Sequence, residues 1–451
     1  MRGFIRLAAL FALTLTTGSL AAPVVKVHPG GVHDIVITSN NTVNATKPAP
    51  ATSSTGPSRI KAVRDVSTNG QLPLALINNL DGSVNAYVTG LSSNNELVML
   101  QPNGQWYYPT ADPSQGTPQP INANIAIPLG PQGSTTNVIL PDYISAARVW
   151  FAVGELQFFT VYSGASNGPS LVEPSAVNPS DPSAAVNWGF VELTNTEEGG
   201  LYANISYVDF VGLVLGMSLL SEDGSTQTAL GLQSDAVSVI CAALAAQTAQ
   251  DGQAWDDLCQ VDENDNPLRV IAPGDFLSTN PTAFNEYFSE YIDAVWAQYE
   301  NSPLTIDTQA AAGEVQCTVQ NDLLTCAGDN RGYAKPTASD IFGCNSGPFA
   351  ILDGDNAVHY AVVPRLCAAF DRSTLTLEGG SVQPGLSSAD YYQGTPTNHY
   401  SHHVHMHSID GKGYAFAYDD VNPSDDVNQS GVVADASPQV LTVTVGGPST
   451  S

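Results

Sequence analysis

Glycine and proline interrupt this chain at close intervals, 39 and 30 times in 451 residues, and that punctuation leaves little room for long helices. Both residues weaken element interiors and favour turns, so the chain reads as many short strands joined by tight turns. Charged residues make up only 13%, which also favours a β-rich fold over a helical one. Hydrophobic residues at 43% are enough for a packed core and exclude wholesale disorder. The charge balance narrows the partners. With 14 basic against 43 acidic residues, a formal charge of -29, phosphate backbones find no electrostatic footprint and nucleic acid is excluded as a partner. Acidic membrane headgroups would repel the same surface. A neutral or cationic ligand remains.

The first 22 residues read as a signal peptide: Arg2 and Arg6 supply positive charge, residues 7–15 an apolar run, and GSLAA small residues for cleavage. A secreted, extracellular protein is expected, and its six cysteines fit an oxidising compartment. They contain no CxxC pair, so disulfides are favoured over a metal site, with sequential pairing closing three short loops. Asn40, Asn44, Asn204 and Asn428 head Asn-x-Ser/Thr acceptor sites. The Pro/Ser/Thr-rich run KPAPATSSTGPS marks residues 23–59 as a propeptide or linker ahead of one catalytic domain at 60–447.

Within that domain, Asp81-Gly82 and Asn103-Gly104 mark hairpins. Apolar residues at helical spacing predict helices over 233–250 and 281–299, with Asn280-Pro281 starting the second. The result is a mainly β protein with a helical insertion at about 230–300 and a return to strands after Pro303.

Residues 187–212, NWGFVELTNTEEGGLYANISYVDFVG, read as two strands turning at Gly199-Gly200. A two-residue turn there places Phe190 opposite Asp209 and Glu192 opposite Tyr207. Trp188, Phe190, Glu192 and Thr194 then share a face with Tyr207 and Asp209. Glu192 and Asp209 become diagonal neighbours roughly 7–8 Å apart. Inverting glycosidases separate their two carboxyls by about 6.5–9.5 Å, and the aromatic neighbours Trp188 and Tyr207 suit the apolar faces of a sugar. Solvated carboxylates on an outer sheet face are the plainer alternative, but such faces are mostly polar.

The runs SLVEPSAVNPSDPSAAVNWGFVELT, GGLYANISYVDFVGL, LRVIAPGDF, IDTQAAAGEVQC, DIFGCNSGPFA, RLCAAFDRSTL, TPTNHYSHHVH and GYAFAYDD together resemble glycoside hydrolase family 64, the β-1,3-glucanases that include laminaripentaose-producing enzymes. The resemblance covers about 60–447. It implies a thaumatin-like architecture, a β-barrel or sandwich portion and a mixed α/β portion with a wide substrate groove between. It also implies Glu192 of VELT as catalytic acid, Asp209 of YVDF as catalytic base, and groove contacts at Asp181, Thr194, Tyr202 and Ser206. Leu193 and Val214 depart from the family pattern, which has Phe and Pro there. The expected function is endo-hydrolysis of linear β-1,3-glucan with inversion, by a monomer without cofactor. The rival expectation is a non-catalytic glucan-binding protein on the same scaffold.

Other clusters are weaker. In HYSHHVHMH, a strand would point His403, His405 and His407 one way, but no acid or cysteine completes a metal motif and no metal is expected. Glu173 is read as orienting substrate or capping the turn before Pro174. Asp419 and Asp420, adjacent in a strand, would face opposite ways. No nucleotide-binding glycine motif and no G-x-S-x-G elbow is present.

Overall fold

The computed structural model describes residues 25–43, 70–162, 168–424 and 427–447. The expected signal peptide, the 47–58 linker and the Asn44 acceptor lie outside the described residues. Two sheets dominate, as the glycine and proline content predicts. The larger has eight strands. Its order runs Val433–Asp435, Gly200–Ile205, Asn187–Thr196, Ile144–Val153, Val84–Ser92, Leu97–Leu100 and Trp106–Tyr107, with Ile127–Pro128 also paired to Val84–Ser92. The second has five, in the order Thr226–Ala229, Leu215–Ser221, Pro438–Val445, Leu72–Asn78 and Thr135–Leu140.

Period-two alternation explains how these strands sit. In Leu72–Asn78 the side chains of Leu72, Leu74 and Leu76 are buried while those between them are only partly so. Leu441, Val443 and Val445 repeat the pattern on the neighbouring strand. These faces join one apolar cluster with Val149, Val191 and Leu193 of the larger sheet, so the two sheets bury a shared core. Pro438–Val445 runs parallel to Leu72–Asn78, tying the far end of the domain to its first strand.

The helical insertion is present as Ala236–Asp251, Pro273–Thr279 and Ser289–Asn301, interleaved with the strands Cys259–Val261 and Pro267–Ile271. Four expectations need correction. The helix predicted from Asn280-Pro281 begins only at Ser289, because Phe284 takes a left-handed φ of 58°. Phe284 and Phe288 instead pack around Trp255 and Phe342. The chain also does not return only to strands after Pro303. It forms the sheet Gly332–Tyr333, Leu323–Cys326, Glu314–Gln320, Leu304–Asp307 and Val382–Gln383, and with it the helices Ala338–Gly343, Ala357–Asp371 and His399–His407. Ala357–Asp371 is buried on nearly every side from Ala361 onward, so it carries no amphipathic stripe to read. The histidine run is therefore helical, not a strand, and Asp419 and Asp420 lie in a turn.

Ahead of the domain, residues 25–43 lie packed against it. Val25–Lys26 pairs in parallel with Cys259–Val261, and Thr42–Val43 pairs with Pro169–Val172. Among the described residues no helix is long and apolar enough to cross a membrane.

The disulfides pair sequentially as expected: Cys241–Cys259, Cys317–Cys326 and Cys344–Cys367. The first ties the helix Ala236–Asp251 to a strand across 18 residues of sequence. A loop of that size restrains the unfolded chain by about 3 kcal/mol. Replacing both Cys241 and Cys259 by Ala should lower the stability read from urea midpoints by about that amount. An unchanged midpoint would show that the bond carries no stability.

Candidate active site

The site is built on one row of the larger sheet. Thr89, Arg148, Glu192 and Asn204 stand opposite one another on four neighbouring strands, so their side chains share a face. The next rows place Trp150 opposite Phe190 and Ala152 opposite Trp188. The rings of Trp150, Trp188, Phe190 and Phe210 pack edge-on or tilted against one another into a floor. On that floor lies the guanidinium of Arg148, 4.4 Å from the centre of Phe190 and 5.5 Å from that of Trp150.

The expected hairpin register is corrected. Thr196 pairs with Gly200, so the loop is three residues, 197–199, rather than the two-residue Gly199-Gly200 turn. Gly200, the first residue of the returning strand, is left-handed with φ 69°, and a Cβ there would lie 2.3 Å from the Asp435 carbonyl. Glu192 consequently faces Asn204 rather than Tyr207. The shift is odd, so the even-numbered residues Tyr202, Asn204 and Ser206 take the Glu192 face. The strand ends at Ile205, and Asp209 is not its diagonal partner. Asp209 instead precedes the short strand Phe210–Val211, with its carbonyl accepting the Ala272 N–H at 2.9 Å.

The chain nevertheless brings the two carboxylates together, through Arg148. Its Nη2 donates to Glu192 Oε1 at 3.1 Å and to Asp209 Oδ2 at 3.3 Å, while Nη1 donates to Glu173 Oε2 at 3.1 Å. Glu173 is buried and accepts a second bond from Thr89 Oγ1, which itself accepts from Trp150 Nε1. Glu173 is thus the buried counter-ion of Arg148, neither a turn cap nor an exposed substrate contact. Burial pushes the Glu173 carboxyl above its ordinary range, with Arg148 pulling the other way. Asp209 is raised for the same first reason, burial; Arg148 opposes and the Glu192 charge adds.

Beside this bridge opens a cavity of about 90 Å³, lined by Arg148, Trp188, Phe190, Asp209, Phe210 and Asp275, among others. Asp275 opens the helix Pro273–Thr279. Burial and the nearby Asp209 charge push its carboxyl well above the usual value. Sequence reasoning passed over both Arg148 and Asp275. The signal for Arg148 was an arginine amid the apolar run ISAARVWFAV in a chain with few cations; Asp275 lies in the run LRVIAPGDF, where nothing local marks it.

The other expected contacts scatter. Trp188, 2% exposed, is floor. Thr194 and Tyr202 are cross-strand partners on the Glu192 face. Ser206 is buried and bridges Tyr414. Tyr207, expected to touch sugar, is core instead: its N–H and carbonyl bond Tyr414 and Tyr400, and only 3% is exposed. Asp181 is also buried, accepting the N–H groups of Ser175 and Ser183, and burial pushes its carboxyl up to about 6. Asn204 is buried at the site, which bars it from glycosylation in the folded chain. His405 and Arg372 both hold the buried Asp419, and Asp420 accepts from Tyr414. Among the described residues, no three histidines bring ring nitrogens within reach of one ion.

Residues 70–445 match the family model described as Beta-1,3-glucanase, glycoside hydrolase family 64. The chain belongs to this family. It is similar to a crystal structure of a laminaripentaose-producing β-1,3-glucanase in complex with laminaritetraose, at 26% identity and a TM-score of 0.71, covering 84% of this chain and 99% of that one. A β-1,3-glucanase domain from Clostridium beijerinckii shares the fold at 20% identity and a TM-score of 0.64, over 85% of this chain and all of that one. The glucan endo-1,3-β-glucosidase of Cellulosimicrobium cellulans is 25% identical over 292 residues, 63% of this chain. The match spans half the length of that relative. As a family 64 chain, the protein presents a cavity whose chemistry is acidic, with one cation at its centre.

That cation should dominate local stability. Arg148→Met leaves Glu173 buried without its counter-charge, a loss of about 3–5 kcal/mol at neutral pH. A carboxyl whose folded pKa is raised adds stability at low pH and loses it as pH rises. The deficit of Arg148→Met should therefore shrink as pH falls, because Glu173 takes up a proton. Adding Glu173→Gln should recover much of it at neutral pH. Denaturant midpoints that are equal at all pH values would refute the counter-ion role.

Proposed function

We propose that this chain is a secreted endo-β-1,3-glucanase that hydrolyses linear β-1,3-glucan with inversion. The observation that carries the reading is the meeting of Glu192 and Asp209 at one guanidinium, over an aromatic floor and beside an open cavity. The likeness to a glucanase crystallised with laminaritetraose supports the substrate. Asp209 and Asp275 on the cavity lining offer acceptors to the hydroxyls of glucose.

In this mechanism Glu192 protonates the glycosidic oxygen while Asp209, ionised, takes a proton from the attacking water. Arg148 contacts both carboxyls, Glu192 through Nε and Nη2 and Asp209 through Nη2. Burial alone drives Asp209 toward its neutral form, and the guanidinium opposes that drive. Arg148 itself stays protonated: burial works against its charge, but the three acids outweigh burial and raise its pKa.

Glu192→Gln and Asp209→Asn should each cut turnover on linear β-1,3-glucan by about 10²–10⁴-fold, the worth of general acid–base catalysis, with glucan binding retained. A variant keeping more than about a tenth of the activity would remove that residue from its role. Proton NMR of early hydrolysis should show the α anomer first at the new reducing end. A β anomer appearing first would mean a covalent intermediate and a nucleophilic carboxylate.

A further inference from the structure

The family match begins at residue 70, yet four residues ahead of it, Thr38, Ser39, Asn40 and Asn41, line the cavity that holds Asp209 and Arg148. We propose that this N-terminal strap is a fixed wall of the substrate cleft, in which Asn40 hydrogen-bonds the glucan and helps to set where along its length the chain is cut. The proposal rests on the glucanase reading above.

Three sets of contacts argue for a built wall rather than a tail resting on the surface. The strap is sewn in at both ends, by the parallel pairing of Val25–Lys26 and the antiparallel pairing of Thr42–Val43. Between them, the His28 and Gly30 N–H groups donate to the carbonyls of Pro179 and Ser180, and Asn178 Nδ2 donates to the Asp34 carbonyl.

Its turn is shaped from within. Asn41, 4% exposed, accepts the N–H and hydroxyl of Thr38 and donates to the Val36 carbonyl. Its carbonyl accepts the Glu173 N–H at 2.9 Å. The strap is thereby joined to the residue that anchors Arg148.

The third contact faces the cavity. Asn40 Nδ2 donates to Asp275 Oδ1 at 2.5 Å, while the Asn40 side chain remains exposed. That bond fixes an amide and a carboxyl side by side at the cavity edge. The Asn40 Oδ1 accepts the Ser39 hydroxyl at 3.2 Å, which leaves the amide a second donor and one further lone pair. Beside it stand Ser278 and the aromatic floor. Amide and hydroxyl together suit the hydroxyls of a glucosyl unit. A wall at this end of the cavity limits how the glucan extends past Asp209, and so biases which bond lies at the carboxylates.

Cleavage of end-labelled β-1,3-gluco-oligosaccharides of defined length tests this, comparing the wild-type chain with Asn40→Ala and Asn40→Asp. The first removes the amide. The second replaces the donor to Asp275 by a carboxyl. Thermal midpoints should stay near wild type, because Asn40 is exposed. The expected result is a changed distribution of cut bonds in both variants, with KM for short oligosaccharides raised roughly two- to tenfold and most of the loss in KM rather than kcat. Two active variants with the wild-type cutting pattern and KM would overturn the wall. An inactive wild-type chain would instead overturn the glucanase reading, and the wall with it.

Discussion

One guanidinium holds the acidic centre of this protein together. Four carboxyls, from Glu173, Glu192, Asp209 and Asp275, gather in a chain whose acids outnumber its cations threefold. Without a cation their mutual repulsion and desolvation would favour protonation or a different packing. Arg148 meets three of them, and the sheet determines that it can. It stands directly across from Glu192 on a neighbouring strand, on the face that carries the aromatic floor. Arginine suits the place better than lysine would. Its planar fork reaches several oxygens at once and stacks on Phe190.

The buried end of this arrangement sets the exposed end. Glu173 is fully committed to Arg148 and Thr89, so the arginine is anchored at Nη1 while Nη2 faces the cavity side. Glu192 and Asp209 keep side chains about a third and a fifth exposed, enough for a ligand to reach. A rigid interior thus presents two reachable carboxylates in fixed relation, which is how a sheet-borne site differs from one assembled on loops.

The sequence disclosed the elements here better than their joins. Alternating apolar residues revealed the strands, the even number of cysteines the disulfides, and helical spacing the helix at 236–251. The register of the hairpin after Thr196 stayed hidden, because Gly199-Gly200 fits a two-residue turn as well as the end of a three-residue loop. That difference moved Tyr207 into the core and took Asp209 off the sheet. Glu192 and Asp209 were still legible as a pair from their company of aromatic residues and from the family resemblance. Their bridge was not, since nothing local in ISAARVWFAV says which acids will fold back onto its arginine. Ala357–Asp371 escaped for the opposite reason: buried on all sides, it displays no periodic face.

The bond from Asn40 to Asp275 ties the cleft to the chemistry of the cell that makes the protein. Asn40 heads the acceptor Asn40-Asn41-Thr42, and the nitrogen that an oligosaccharyltransferase would modify is the one that donates to Asp275. A glycan attached there would hang a polar branch at the mouth of the cavity. Material made in a bacterium and material made in a yeast would then carry different entrances to the same carboxylates, although their sequences were identical.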